Sequence, residues 1–271
     1  MENKNLVHNL FDLQGKVAVI TGGASGLGYD IAYALAEYGC KIVITSRFIE
    51  KAEASAKKLA EEMGVEVMSM ALDQRNYDEC QALMDKTVER FGRIDILINN
   101  AGGGAGAGDT NFLKRDPKNI QTLIDTNLTG SLFCTKAAAG YMAKQMSGKI
   151  VNIGSIAGIV GRDRDMYHEA NKNEQPVEYA AAKGGVIGMT RDLAAFMAPY
   201  GVTVNCISPG GFDRGELSEA FVSGYSKRTP MRRMGRMMSD LLGTIIYLSS
   251  DASVYVTGQN IAVDGGFSTC K

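Results

Sequence analysis

One stretch of the chain, VITGGASGLGYDIAYALAEYG at residues 19–39, carries most of the information about its fold. A short β-branched run is followed by a turn that contains Gly22, Gly26 and Gly28, and then by a stretch with apolar residues at helical spacing. Glycines let the backbone approach a phosphate, and the first amides of a helix carry partial positive charge. The spacing G-x3-G-x-G differs from the commoner G-x-G-x-x-G. In this strand, turn and helix setting we expect a dinucleotide to bind.

The rest of the chain alternates short apolar strands with longer helical patterns. Strands are predicted at 16–21, 41–45, 65–71, 95–99, 149–154, 202–207 and 259–263. Helices are predicted at 26–38, 49–63, 77–91, 118–146, 178–198 and 239–249. Continuous apolar strands joined by helices indicate a parallel sheet covered on both faces, and right-handed crossovers make it doubly wound. We predict one α/β domain over residues 1–271, a Rossmann fold of about seven strands, in which the glycine-rich 101–110 stretch is a loop.

The composition argues against several classes of protein. The net charge is −1 without a basic run, so no nucleic-acid partner is expected. No apolar stretch approaches the roughly 18 residues of a membrane span, and MENKNLVHNLFDLQGK at the start lacks the pattern of a signal peptide. The five cysteines are scattered, no CxxC pair occurs, and there are two histidines. We therefore expect no metal site and a reducing cytoplasmic location.

A second informative stretch is VEYAAAKGG at residues 177–185. Tyr179 and Lys183 are four positions apart, so they share one helix face. A cation beside a phenol favours the phenolate, and we expect the pKa of Tyr179 to lie below its usual value of about 10. Such a pair suits proton transfer near neutral pH. Pairs at this spacing also arise by chance, so this one is informative only beside a cofactor site.

The end of the second predicted strand bears on the choice of dinucleotide. An acidic residue about 20 positions after the glycine turn would bind the ribose 2′-hydroxyl and repel a 2′-phosphate. The stretch reads ITSRF, with Ser46 and Arg47, and no carboxylate precedes Glu50. A guanidinium binds phosphate through two parallel hydrogen bonds. We predict that NADP(H) is preferred and NAD(H) possible; a solvated arginine at a strand end is the alternative.

With TGxxxGxG at 21–28 and YxxxK at 179–183 in place, the chain resembles the short-chain dehydrogenase/reductase family. Further motifs match the family in the expected order, and the resemblance covers nearly the whole chain. They are NNAG at 99–102, Asn127 after LIDT, Ser155 at the end of IGS, and SPGG at 208–211.

This resemblance implies roles for individual residues. Tyr179 would exchange a proton with the substrate oxygen, and Lys183 would hold the nicotinamide ribose and favour the tyrosinate. Ser155 would hydrogen-bond the reacting oxygen, and Asn127 would bend its helix and support a water chain to Lys183. A helix cap for Ser155 and a polar turn for Asn127 are the alternatives. The implied cofactor-binding residues are Gly22, Ser25, Gly26, Leu27, Gly28, Ser46, Arg47, Asp73, Gln74, Asn100, Ala101, Gly102, Tyr179, Lys183, Pro209, Gly210 and Phe212.

Two departures from the family pattern concern the substrate. Ser155 and Tyr179 are 24 positions apart, about twice the usual spacing, which predicts an insertion near 161–177 at the substrate mouth. Arg214 stands where the family often has a threonine, at the start of a 212–236 segment where the family keeps a mobile lid. The candidate substrate residues are Arg162, Arg164, His168 and Arg214, with self-pairing to neighbouring acids as the alternative.

The combination resembles a sugar-acid and polyol branch of the family, of the gluconate 5-dehydrogenase type. We predict an NAD(P)(H)-dependent oxidoreductase of carbohydrate metabolism that interconverts a secondary alcohol and a ketone on a small-molecule substrate. A 3-oxoacyl thioester reductase and a hydroxysteroid dehydrogenase are alternatives. A nucleotide-binding regulator without chemistry is a third, which the complete Ser, Tyr and Lys set argues against. The resemblance also implies a homotetramer.

Overall fold

The computed structural model describes residues 6–104 and 107–270, and its centre is a seven-stranded parallel sheet. All seven strands predicted from the sequence form, and their order across the sheet is β3-β2-β1-β4-β5-β6-β9. They are β1 (Val17–Ile20), β2 (Lys41–Ser46), β3 (Val67–Ala71), β4 (Ile96–Asn99), β5 (Gly148–Ile153), β6 (Val202–Pro209) and β9 (Asn260–Val263). Two two-residue strands outside this sheet, β7 (Phe212–Asp213) and β8 (Gly235–Arg236), pair with each other.

Helices connect the strands and cover both faces. Their bounds are α1 (Leu6–Asn9), α2 (Gly26–Glu37), α3 (Ile49–Met63), α4 (Tyr77–Phe91), α5 (Pro117–Ile124), α6 (Gly130–Gln145), α7 (Asp165–Glu169), α8 (Val177–Met197), α9 (Glu219–Arg228) and α10 (Leu242–Ser249). From β1 the chain first runs outward through β2 and β3, and then crosses back to β4 on the other side of β1. At this reversal the loops beyond the carboxyl ends of β1 and β4 separate, which leaves a crevice for a ligand.

The strand residues alternate between two apolar cores. Ile20 of β1 packs with Ile31 and Leu35 of α2, on the face that α3 and α10 also cover. Val19 packs on the opposite face with Leu83 of α4, beside α6 and α8. Side chains of a strand alternate in direction, and both faces are buried, so every position of β1 is apolar. The prediction of a doubly wound sheet is confirmed.

The predicted helices agree with the structure except where polar or short segments interrupt the pattern. The predicted 118–146 helix is divided into α5 and α6 by a π-helical turn at Asp125–Thr129. Helices α7 and α9 were not predicted, because each is short and rests on neighbours distant in sequence. Residues 105–106 of the predicted glycine-rich loop lie outside the described residues. Within the described ranges, no helix is long and apolar enough to cross a bilayer.

Candidate active site

A cavity of about 1490 Å³ lies along the carboxyl ends of the strands, at the crevice between β1 and β4. The predicted catalytic residues Asn127, Ser155, Tyr179 and Lys183 all line it. So does every predicted cofactor residue except Gly26. The structure therefore brings together residues that lie up to 190 positions apart in the sequence (22 to 212).

The glycine turn between β1 and α2 has no room for side chains. Gly22 and Gly26 have φ angles of +65° and +57°, which side-chain-bearing residues rarely adopt. A Cβ on Gly28 would lie 2.4 Å from the carbonyl oxygen of Gly22. The turn is tied to its neighbours, since Gly22 N donates to Thr45 Oγ1 at 3.1 Å. This bare backbone at the start of a 12-residue helix fits the pyrophosphate of a dinucleotide.

Residues at the ends of β2 and β3 form the far side of the same cavity. Arg47 is exposed there beside Ser46. Asp73 binds Arg75 through Nε–Oδ1 and Nε–Oδ2 distances of 2.9 and 3.1 Å, and this hydrogen bonding lowers the pKa of Asp73. Because the Asp73 carboxylate is paired, Arg47 keeps its charge available for a phosphate. The set fits the 2′-phosphate of NADP(H).

Gln74 holds the strand ends in register. Its Nε2 donates to the carbonyl oxygens of Ala101 at 3.0 Å and Thr126 at 2.5 Å. Its Oε1 is buried without a hydrogen-bond partner among the described residues. A buried orphan acceptor is costly unless a donor reaches it. Gln74 thus joins the end of β3 to the loop after β4 and to the π-helical turn at Asp125–Thr129.

Tyr179 and Ser155 meet at the carboxyl end of β5. Tyr179 lies in the first turn of α8, and Ser155 follows β5 directly, with its hydroxyl accepting a hydrogen bond from Ala157 N at 3.1 Å. Both hydroxyls line the cavity, and the neighbouring Ser155 hydroxyl acts to lower the pKa of Tyr179. Lys183 is one turn further along α8 and is buried; its Nζ donates to the carbonyl oxygen of Ile153 at 2.7 Å. The arrangement places a proton donor beside a second hydroxyl that can hold the same reacting oxygen.

The charges at this point differ from the expectation drawn from sequence. Burial raises the pKa of Tyr179, and the hydrogen bond from Ser155 and the charge of Arg162 only partly oppose it. Burial lowers the pKa of Lys183 from 10.5 to about 8. The expectation of a Tyr179 pKa below its usual value is wrong for this structure, because burial of the phenol outweighs the hydrogen bond from Ser155 and the charge of Arg162. Tyr179 therefore holds its proton at neutral pH and can donate it.

Asn127 causes the π-helical turn between α5 and α6. Its Nδ2 donates to the carbonyl oxygen of Leu123 at 3.0 Å, a group that a regular helix would bond through the backbone. It also bridges to Gly103, with Nδ2–O and N–Oδ1 distances of 3.2 and 3.1 Å. A Cβ on Gly102 would lie 2.5 Å from Asn127 Oδ1 and 3.8 Å from Lys183 Nζ. Asn127 Oδ1 and Lys183 Nζ therefore both lie beside Gly102. The support of a water chain to Lys183 by Asn127 stays a prediction.

The four candidate substrate residues separate into two pairs. Arg162 and Arg214 line the cavity, whereas Arg164 and His168 do not. Arg164 forms an ion pair with Glu174, and His168 Nε2 lies 2.7 Å from the same carboxylate. The substrate role predicted for Arg164 and His168 finds no support here, because their side chains hold Glu174 instead.

The 161–177 segment packs against α9. Arg228 binds Asp163 at 2.5 Å and lies 3.5 Å from Glu169. Behind these ion pairs Tyr167 and Phe221 meet edge to face, with ring centres 5.3 Å apart. Six buried side chains form this small apolar cluster, separate from the cores of the sheet: Met166, Tyr167, Phe221, Tyr225, Met234 and Phe267. The mouth of the cavity is therefore built from two segments that brace each other.

A buried ion pair next to Tyr179 was not predicted from the sequence. Arg115 Nε binds Glu178 Oε1 at 2.6 Å, and both side chains are almost fully buried. Arg115 Nη1 also binds the carbonyl oxygens of Ala107 and Asp109, the latter at 2.9 Å. The pair fastens the glycine-rich loop to the first turn of α8. A glutamate preceding the tyrosine was visible in the sequence, but its partner 63 positions away was not.

Among residues 6–104 and 107–270, no group of three or more His, Cys, Asp and Glu side chains is placed to hold a metal ion. The site combines hydroxyls, one buried ammonium and a bare glycine turn with four arginines, which are Arg47, Arg75, Arg162 and Arg214. Such a set can bind an anionic dinucleotide and exchange a proton with an alcohol or ketone.

Comparison with known proteins agrees with this arrangement. A family model described as enoyl-(acyl carrier protein) reductase matches residues 22–268. A 3-oxoacyl-[acyl-carrier-protein] reductase of Synechocystis is 37% identical, over 94% of this chain and 97% of that protein. A 2-dehydro-3-deoxy-D-gluconate 5-dehydrogenase of Escherichia coli is 36% identical, over 97% and 99%. The structure of a gluconate 5-dehydrogenase from Burkholderia cenocepacia, in complex with NADP and tartrate, superposes with a TM-score of 0.86 at 34% identity, covering 97% of this chain and 99% of that one.

Proposed function

The chain belongs to the short-chain dehydrogenase/reductase family, and we propose that it is an NADP(H)-dependent enzyme that interconverts a secondary alcohol and a ketone on a sugar acid. As a member of this family it is an oxidoreductase that acts on CH–OH groups. The relatives include both acyl-carrier-protein reductases and sugar-acid dehydrogenases, so the choice of substrate depends on the residues around Tyr179.

The catalytic residues would act as follows. In ketone reduction Tyr179 donates its proton to the substrate oxygen, and the Ser155 hydroxyl hydrogen-bonds the same oxygen and orients it. Lys183 would hold the nicotinamide ribose, and Asn127 fixes the backbone at Gly103 and Leu123. NADP(H), when bound, supplies or accepts the hydride. In the direction of alcohol oxidation Tyr179 must first lose its proton, so a high pH favours that direction.

The preference for NADP(H) is supported by the cavity wall at the end of β2. Ser46, Arg47 and Lys51 line the cavity together. Two cations and a hydroxyl suit a 2′-phosphate, whereas NAD(H) binding usually relies on a carboxylate at this place.

One observation carries the choice of a sugar acid: Arg162 lies beside Tyr179. The guanidinium carbon is 5.8 Å from the centre of the tyrosine ring. Its Nη1 and Nη2 donate to the carbonyl oxygens of Gln175 and Pro176, at the end of the 161–177 segment. Its Nε is buried without a hydrogen-bond partner among the described residues. A carboxylate close to the reacting hydroxyl would meet this fixed cation, which favours a sugar acid over a neutral polyol.

The mouth of the cavity supports a second candidate. Met166, Phe221 and Met234 belong to the apolar cluster and line the cavity. An apolar wall of this kind suits the chain of a 3-oxoacyl thioester, or less well a hydroxysteroid. The substrate would then extend past Arg162 rather than end at it.

Several finer predictions complete the proposal. The 161–177 segment borders the substrate mouth and the 212–236 segment is its lid, which together would exclude water during hydride transfer. A homotetramer in the cytoplasm follows the family expectation. Exposed apolar side chains, with Phe196 at 67% and Tyr255 at 100% exposure, supply surface for subunit contacts.

The test is a panel of initial rates, followed by the change in nicotinamide absorbance with NADP⁺ or NAD⁺. The alcohols are gluconate, a neutral hexitol and a steroid alcohol, and a 3-oxoacyl thioester is offered with NADPH. We expect the highest kcat/KM for gluconate with NADP⁺. Turnover of the thioester alone would replace the sugar-acid assignment by the second candidate, and turnover with NAD⁺ alone would refute the cofactor choice.

A further inference from the structure

We propose that Arg214, on the 212–236 segment, binds the pyrophosphate of the dinucleotide and so couples that segment to the cofactor rather than to the substrate. The inference rests on the proposed use of NADP(H) but not on the identity of the substrate. It changes the role predicted for Arg214 from sequence, where it stood as a candidate for a substrate carboxylate.

The position of the guanidinium is the first observation. A Cβ built on Gly26 would lie 2.7, 2.9 and 3.0 Å from Arg214 Nη2, Cζ and Nη1. The guanidinium therefore lies directly over Gly26 of the glycine turn. Any side chain at position 26 would collide with it.

The second observation is that the chain just beyond the far end of the 212–236 segment is also hydrogen-bonded to α2. Met238 N donates to Asp30 Oδ2 at 2.8 Å. The strand at Phe212–Asp213, directly before Arg214, pairs with the strand at Gly235–Arg236, shortly before Met238. The segment is thus a closed loop that rests on the first two turns of α2, which keeps Arg214 above the turn.

The charges of Arg214 and of the N-terminal end of α2 indicate that an anion binds between them. A guanidinium and the positive end of a helix repel each other, so an anion between them is attracted by both. Asp30 is buried, and this burial raises the pKa of its carboxyl. The hydrogen bond from Met238 N and the charge of Arg214 act in the opposite direction. The planar fork of an arginine matches two phosphate oxygens.

The chemistry of the cavity identifies the anion. The turn that Arg214 covers is the one whose strand, turn and helix geometry fits a pyrophosphate. Arg162, by contrast, lies beside the ring of Tyr179, and its guanidinium donates to the carbonyl oxygen of Pro176. Arg214 and Arg162 therefore serve different parts of the reaction, the first the cofactor and the second the substrate.

The experiment measures the Kd of NADPH for the full chain by fluorescence, without substrate. We expect Arg214→Gln to weaken NADPH about tenfold, as the loss of a charge-assisted hydrogen bond requires, and Arg214→Lys to weaken it less. The matched control is Arg232→Gln, since Arg232 is exposed on the same segment and binds the carbonyl oxygen of Lys227. It should leave the Kd within about twofold, because its charge is not at the turn.

A second probe separates the two phosphates of the cofactor. 2′-AMP carries the 2′-phosphate without a pyrophosphate, so Arg214→Gln should leave its binding unchanged and Arg47→Gln should weaken it. Unchanged NADPH binding in Arg214→Gln, or equal weakening in Arg232→Gln, would overturn the inference alone. Failure of the unaltered chain to bind NADPH would refute the proposed cofactor, and the inference with it.

Discussion

The two ends of the cavity are built in different ways. The cofactor end is made of backbone: strand ends, a glycine turn and the first turn of a helix, joined by short hydrogen bonds such as those from Asn100 N and Ala101 N to Thr21 Oγ1, both 3.0 Å. The mouth is made of side chains, with ion pairs and one small apolar cluster joining the 161–177 segment to α9.

This difference explains which properties each end can have. A dinucleotide presents the same phosphates to every enzyme that uses it, so a rigid backbone cradle serves it well. Substrates vary, and loops with their own ion pairs can change without disturbing the sheet. We therefore expect substitutions at the mouth to alter substrate use and local stability, and those at the catalytic centre to abolish turnover.

The largest effect is expected at the catalytic centre. Tyr179→Phe removes the proton donor, and turnover should fall by about 10²–10⁴-fold. The Kd of NADPH should stay within about threefold, because the substitution removes only one hydroxyl. Steady-state rates and fluorescence titration give the two numbers. A variant that keeps its turnover would remove Tyr179 from the mechanism.

The next largest effect is expected for the buried ion pair that fastens the glycine-rich loop to α8. Arg115→Met leaves Glu178 buried without its partner, which should lower the free energy of unfolding by about 3–5 kcal/mol. The double variant Arg115→Met/Glu178→Met should recover most of this loss. Urea unfolding measures both.

An exposed pair supplies the control for that prediction. Lys57 and Glu61 lie 3.9 Å apart and are largely exposed, so Lys57→Met should cost less than about 1 kcal/mol. An equal cost for Lys57→Met and Arg115→Met would show that the buried pair has no special role.

A smaller effect tests the buried lysine through pH. The folded pKa of Lys183 is about 8 and its usual value is 10.5, so between these values the unfolded chain binds the proton and the folded chain does not. The stability of the folded chain therefore rises with pH in that window. Relative to Lys183→Met, the unaltered chain should gain about 1 kcal/mol of stability from pH 7 to 9. Thermal or urea unfolding at the two pH values checks it, and a constant difference would contradict the lowered pKa.

The smallest effect on stability is expected at the mouth. Asp163→Asn weakens a partly exposed ion pair with Arg228 and should cost less than about 1 kcal/mol overall. Because the 161–177 segment and α9 brace each other, backbone amides of both should exchange hydrogen faster together, while those of β1 and β4 stay protected. Faster exchange in only one segment would show that the two are independent.

The same difference decides how far the sequence could predict the molecule. The seven strands and the glycine turn could be predicted, because each depends on a local pattern. The positions of Ser155, Tyr179 and Lys183 in the cavity were implied by the resemblance to a known family. The pKa of Tyr179 could not be, because it depends on burial in the assembled cavity.

Partners of charged side chains were equally out of reach. The sequence does not distinguish the three arginines Arg162, Arg164 and Arg214. Only the fold shows that Arg164 binds Glu174 and that Arg214 covers Gly26. The pairing of Arg115 with Glu178 likewise crosses between elements far apart in the chain.

The most direct test of the account is the ratio of kcat/KM for gluconate to that for a neutral hexitol, both with NADP⁺, in Arg162→Gln. We predict that this ratio falls about tenfold or more, because the substitution removes the cation beside Tyr179 that a carboxylate would meet. The control is Arg164→Gln, with the same change of charge in the same segment, and it should leave the ratio unchanged because Arg164 binds Glu174. An unchanged ratio in Arg162→Gln, or an equal fall in Arg164→Gln, would contradict the assignment of a sugar acid as the substrate.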